Sequence, residues 1–130
     1  MLAFAADVAK LSTCARLMVG AVVTDPTMEQ VLGYGYNGNA SRLPNACDSD
    51  EPGRCGCVHA ETNALIKAGR GEKFMFLTVT PCAACAKMII NADVVRVWAA
   101  SWYRNPEGMA VLQKAGVMVV LPEVEPNAKR

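Results

Sequence analysis

The sequence predicts an α/β fold: a three-layer α/β/α sandwich built on a mixed five-stranded sheet, in one domain spanning residues 1–130. Short apolar runs of strand length alternate with segments whose apolar residues recur at helical spacing, the pattern of layered α/β proteins. The first two strands are separated only by a turn and so pair antiparallel. The later ones are separated by helices, the connection that parallel neighbours need. A chain of 130 residues buries about two-thirds of its unfolded surface, enough for a core without disulfides.

Ala3 to Leu17 carries Phe4, Val8, Leu11 and Ala15 at a helical period with no internal Gly or Pro, and is expected to be the first helix. Val19 to Thr24 reads as a buried strand, Asp25 to Gln30 as a turn, and Val31 to Tyr36 as the hairpin partner. From Asn37 to Cys57 the chain is rich in Asn, Ser, Gly, Pro and Asp and has no apolar period. A structureless loop of this length is uncommon and usually functional. A second helix is expected from Val58 to Ala68, stopping at Gly69, with His59 and Glu61 in its first turn. Phe74 to Val79 is the third strand. Thr80 is a good N-cap and Pro81 suits a first helical position, so the third helix should open with Cys82 and Cys85 on one face. Its N-terminus should lower the thiolate pKa values. Val94 to Ala100, Glu107 to Ala115 and Gly116 to Leu121 complete the order as strand, helix and strand, and the tail after Pro122 is polar.

Composition narrows the function. A net charge of +1 gives no long-range field for a polyanion, so extended nucleic-acid binding is not expected, although a small anionic substrate is compatible. No apolar run approaches the roughly 18 residues that span a bilayer, and Met1 to Ala6 lacks a basic leader, so a cytoplasmic protein is expected. Six cysteines in that setting point to thiolate ligands, not disulfides. With 52% hydrophobic and 19% charged residues, part of the surface should be covered by another subunit, which suggests a homo-oligomer.

His59, Cys82 and Cys85 form a borderline-soft donor set that suits Zn²⁺, and three protein ligands leave a fourth tetrahedral position open for water. That is a catalytic arrangement. Glu61, two residues past the histidine, is the natural proton carrier. His-x-Glu followed by Pro-Cys-x-x-Cys is the signature of zinc nucleobase deaminases, and Pro81 completes it. His59 is the chain's one histidine, so any imidazole chemistry must use it. Cys14, Cys47, Cys55 and Cys57 are left over, three of them in the polar loop, and are candidates for a second, structural metal site. A rival partition would join Cys55 and Cys57 with Cys82 and Cys85 in one closed site, leaving Glu61 and Pro81 without a reason.

These motifs resemble the cytidine deaminase superfamily and, within it, the deoxycytidylate deaminase branch. The likeness runs through Ser12-Thr13-Cys14-Ala15-Arg16, Gly35-Tyr36-Asn37-Gly38, His59 to Ala64, Pro81 to Ala92 and Lys114 to Val117. It implies deamination of dCMP to dUMP with release of ammonia, a five-stranded sheet flanked by helices, and oligomerisation. It also implies that Asn37 contacts the sugar, and that the Ala60 N–H and the backbone at Thr80 and Pro81 bind the base edge. Some members of the branch carry a second zinc near the first helix and this loop. Arg16 falls in the branch's Thr-Cys-x-Arg element and is expected to grip the 5′-phosphate, with Arg42, Arg54 and Arg104 competing for that role. Asp93 stands where the branch usually has glycine. The alternatives are a tRNA adenosine, free-nucleoside or dCTP deaminase sharing the zinc motif, or a non-catalytic zinc-stabilised binding module.

Overall fold

The computed structural model describes residues 1–14, 16–47, 49 and 55–123. Ala15, Arg54 and the tail from residue 124 onward lie outside these described residues. In chain order the elements are α1 (Leu2–Ala9), β1 (Gly20–Thr24), β2 (Val31–Tyr36), α2 (Ala60–Ala68), β3 (Lys73–Leu77), α3 (Ala83–Asn91), β4 (Val94–Ala99), α4 (Glu107–Lys114) and β5 (Met118–Val120). The strands lie in the order β2-β1-β3-β4-β5. β1 runs antiparallel to β2 and β3, whereas β3, β4 and β5 are parallel neighbours. The mixed five-stranded sheet is as the sequence predicts.

Alternation along the strands divides the core in two. Ala21, Val23, Met75, Leu77 and Val97 face α2, α3 and α4, packing on Ala64, Ile89, Met109 and Leu112. Val22 and Phe76 point the other way, against Ala5 and Val8 of α1. Three layers result. Each fully buried Leu or Ile side chain contributes about 1.5–3 kcal/mol, so Leu77, Ile89 and Leu112 anchor the larger core. A Cβ on Gly35 would stand 2.6 Å from Ala64 N. The absence of a side chain there is what lets α2, and the His59 end with it, lie directly on β2.

Several element ends differ from the sequence reading. α1 stops at Ala9 instead of Leu17 because Ser12 leaves the helix to donate to Asn37 O at 2.7 Å, and Cys14 N donates back to Ser12 Oγ at 3.2 Å. Short polar side chains offer the backbone such alternatives to a helix. His59 is the extended N-cap of α2, not a residue of its first turn. The cap of α3 is Cys82, whose Sγ accepts from Cys85 N, so Thr80 does not cap and Pro81 is not the first helical residue. Thr80 Oγ1 instead accepts from Tyr103 N at 2.8 Å. β2 has the bounds expected, β3 begins one residue earlier and ends two earlier, and β1, β4, β5 and α4 are shorter by one or two residues at an end. α4 closes on Gly116 at φ 86°, with Gly116 N donating to Gln113 O and Val117 N to Leu112 O, which takes Gly116 out of β5. Asp93 adopts φ 64°, a left-handed conformation that Asp tolerates, so the turn after α3 forms without a glycine. The buried Lys73 supports that turn, its Nζ donating to Ala92 O at 2.7 Å and Gly71 O at 2.6 Å.

Candidate active site and metal centres

The site lies at one end of the sheet. Crevices in α/β sheets form beyond the carboxyl ends of parallel strands, and here Thr80 follows β3 while Ser101 to Arg104 follow β4. β1 is antiparallel to β3, so its start, at Val19, and the end of β2, at Asn37, reach the same edge. A cavity of about 690 Å³ opens there, lined among others by Arg16, Asn37, His59, Glu61, Thr80 and Cys82.

His59, Cys82 and Cys85 come together there, His59 and Cys82 on the cavity's lining. His59 Nδ1 is 3.2 Å from Cys85 Sγ and 3.8 Å from Cys82 Sγ. Zn–S bonds of about 2.3 Å and a Zn–N bond of about 2.0–2.1 Å in a tetrahedron set ligands roughly 3.5–3.8 Å apart, so the three atoms fit a zinc ion. Cys82 and Cys85 are brought together by the first turn of α3, and His59 arrives from the start of α2. Burial, followed by the neighbouring Glu61 and Cys82 charges, pushes the Cys85 thiol well above its usual pKa. The expectation that the helix end would lower it is therefore corrected: a terminus worth about half a charge is outweighed by burial and two anions. A thiolate at this position calls for a cation.

Glu61 occupies the first turn of α2 and is 5% exposed. Burial raises its pKa, opposed by hydrogen bonding to its own backbone and to Cys85 and by the charge of His59. A carboxyl with raised proton affinity, beside an open metal position and facing a cavity, is equipped to take up and return protons.

Cys14, Cys47, Cys55 and Cys57 form a second cluster, all four sulfurs within 4.8 Å of one another. The shorter separations are 3.2 Å for Cys47 to Cys55 and 3.8 Å for both Cys14 to Cys55 and Cys47 to Cys57. A zinc tetrahedron of four thiolates has edges of roughly 3.8 Å, so this set also fits. The two clusters are separate, which excludes the rival partition of Cys55 and Cys57 with Cys82 and Cys85.

Residues 1–101 match the family model of the cytidine and deoxycytidylate deaminase zinc-binding region. The deoxycytidylate deaminase of Mycobacterium phage D29 is 34% identical over 114 residues, covering 74% of this chain and 88% of the phage protein. That of Saccharomyces cerevisiae is 32% identical over 126 residues, 85% of this chain, and the chain spans 40% of the yeast protein's length. Among solved structures, the dCMP deaminase of cyanophage S-TIM5 in complex with dCMP and dUMP superposes with a TM-score of 0.82 at 33% identity, over 92% of this chain and 91% of that one. The chain belongs to the deoxycytidylate deaminase family of the cytidine deaminase superfamily.

The positions matched to that family fall as follows. Asn37 is buried and spans the entry to β1, its Oδ1 accepting from Val19 N at 2.8 Å and its Nδ2 donating to Leu17 O. Each end of the amide keeps one further hydrogen-bonding position. Ala60 lines the cavity at the start of α2, where helical N–H groups lack an intrahelical partner. Pro81 is buried and is not among the lining residues. Of the four arginines weighed for the phosphate, Arg16 and Arg104 line the cavity and Arg42 does not, while Arg54 lies outside the described residues.

Sequence reasoning missed Trp102, Tyr103 and Gly108. Trp102 and Tyr103 line the cavity, and their position just past β4, mirroring Thr80 past β3, was the available signal. Gly108 in α4 packs so closely that a Cβ there would stand 1.9 Å from Pro81 O. Gly108→Ala is expected to lower stability by about 1–3 kcal/mol, as overpacking does, and to reduce turnover as well, because the displaced peptide leads into Cys82. Melting curves alongside kcat measurements check this, and an unchanged kcat would separate Gly108 from the site.

Proposed function

We propose that the chain is a zinc-dependent hydrolase that deaminates dCMP to dUMP with release of ammonia, serving pyrimidine deoxynucleotide metabolism. The observation that carries this reading is the buried Glu61 beside the open three-ligand set of His59, Cys82 and Cys85, with Glu61, His59 and Cys82 lining a cavity large enough for a nucleotide. Zn²⁺, when bound there, lowers the pKa of a coordinated water toward about 7. The Glu61 carboxylate takes a proton from the attacking water and delivers it to N3 of the cytosine, which makes C4 electrophilic. Glu61 then passes a second proton to the departing exocyclic nitrogen, so oxygen is gained at C4 as ammonia leaves.

The remaining residues position the base and sugar. Thr80 N–H is engaged by Ser101 O at 2.9 Å, so the backbone at Thr80 and Pro81 would act as acceptor for the exocyclic amine. The Ala60 N–H would donate to the base, and the spare positions of the Asn37 amide would reach the sugar. We assign the 5′-phosphate to Arg16, with Arg104, which also lines the cavity, as its competitor. Cys14, Cys47, Cys55 and Cys57 would hold a second, structural zinc. Among the described residues no helix is long and apolar enough to cross a membrane. The proposed setting is cytoplasmic, with a homo-oligomer acting on a small nucleotide and making no extended nucleic-acid contact.

Ammonia release from dCMP, dCTP, deoxycytidine and a tRNA adenosine substrate tests the assignment. dCMP should be turned over with the highest kcat/KM, and a preference for any of the others would move the protein to a sister activity. No turnover of any by the zinc-loaded protein would favour the binding module. Charge-assisted hydrogen bonds to a phosphate contribute about 1.5–3 kcal/mol each, so Arg16→Ala should depress kcat/KM for dCMP by about one to two decades and leave deoxycytidine nearly unchanged. An equal effect on both substrates, or none, would pass the role to Arg104.

A further inference from the structure

We propose that the second cysteine cluster is a positioning clamp for the phosphate side of the substrate cavity: closed around its metal, it holds Arg16 in place and so sets affinity for the nucleotide over the nucleoside. The inference rests on the two-metal reading above and extends it from stability to recognition. Cys14, Cys55 and Cys57 themselves line the catalytic cavity beside Arg16 and Leu17. The cluster is thus a wall of that cavity.

Both of its chain connections lead into the site. Cys57 lies two residues before His59, and Val58 between them is paired in both directions with Gly38, the neighbour of Asn37. Cys14 lies two residues before Arg16. Leu17 and Val19 are held by the Asn37 amide, which bonds Leu17 O and Val19 N, and Cys14 is held in the cluster. Arg16 sits between these two anchors. The four sulfurs lie within 4.8 Å of one another, close enough for one ion to tie them all; without that tie the Cys14 anchor loosens and Arg16 regains freedom that phosphate binding must again remove.

Cys47 is the cluster member that does not line the cavity, so Cys47→Ser is the informative variant. Elemental analysis should show two zinc per chain falling to one. If the competent arrangement drops to about one molecule in ten, KM for dCMP and the calorimetric Kd for the product dUMP should each rise about tenfold. The kcat for dCMP should stay within about twofold, and kcat/KM for deoxycytidine should hardly move. Cys47→His, which restores a zinc donor, should recover both zinc count and dUMP affinity, and serves as the test if the serine variant does not fold. Loss of the second zinc with unchanged dUMP affinity would overturn the clamp. So would equal losses for both substrates through kcat, or a single zinc in the unsubstituted protein. The dUMP titration reads the clamp even if dCMP is not turned over, a result that would count against the deaminase reading instead.

Discussion

Glu61→Ala should abolish turnover while leaving zinc at His59, Cys82 and Cys85. The carboxyl is buried beside the three ligands without belonging to their set, so the metal keeps its donors when Glu61 is removed. Positioned acid-base catalysis is worth about 10²–10⁴ in rate. In the proposed mechanism one group moves the proton from water, to N3 and to the leaving nitrogen, so the loss should fall at or beyond the upper end of that range. Metal content and kcat, measured on the same preparation, check this. A variant that loses its zinc, or keeps a near-normal rate, would show that Glu61 has another role.

The largest effect on stability is expected at Cys55→Ser. Structural zinc binding carries on the order of 10 kcal/mol of apparent free energy. The segment that Cys55 helps to hold comes from a polar loop whose described residues contribute almost nothing to either core. Zinc should fall from two to one per chain, and the melting temperature should fall with it. One zinc in protein purified without chelator would remove the second site from the account.

Much of the catalytic centre was legible because its geometry is local. Cys82 and Cys85 lie three residues apart across one helical turn, and His59 and Glu61 two apart at a helix start, so spacing alone constrains where those atoms can go. The cysteine cluster was expected from three thiols in a polar loop without an apolar period and from the resemblance to the branch, some of whose members carry a second zinc there. What could not be read depended on distant partners. Thr80 has the chemistry of an N-cap, but its hydroxyl is taken by Tyr103, 23 residues away. The period of the first helix runs on to Leu17, but Ser12 is drawn off by Asn37, 25 residues away. Trp102 and Tyr103 carry no motif, and they reach the cavity only because β4 lies beside β3. Gly108 reads as a weak residue in a short helix until the Pro81 carbonyl is found against it. The rise in the Cys85 pKa, opposite to the helix-end expectation, came from burial and from Glu61, neither visible in a thiol spacing.

Hydrolysis itself is tested most directly by oxygen tracing. With zinc-loaded protein and dCMP in ¹⁸O-labelled water, the account predicts dUMP carrying ¹⁸O at C4, with one ammonium released for each dUMP formed. No dUMP, or dUMP formed without label from the water, would contradict it.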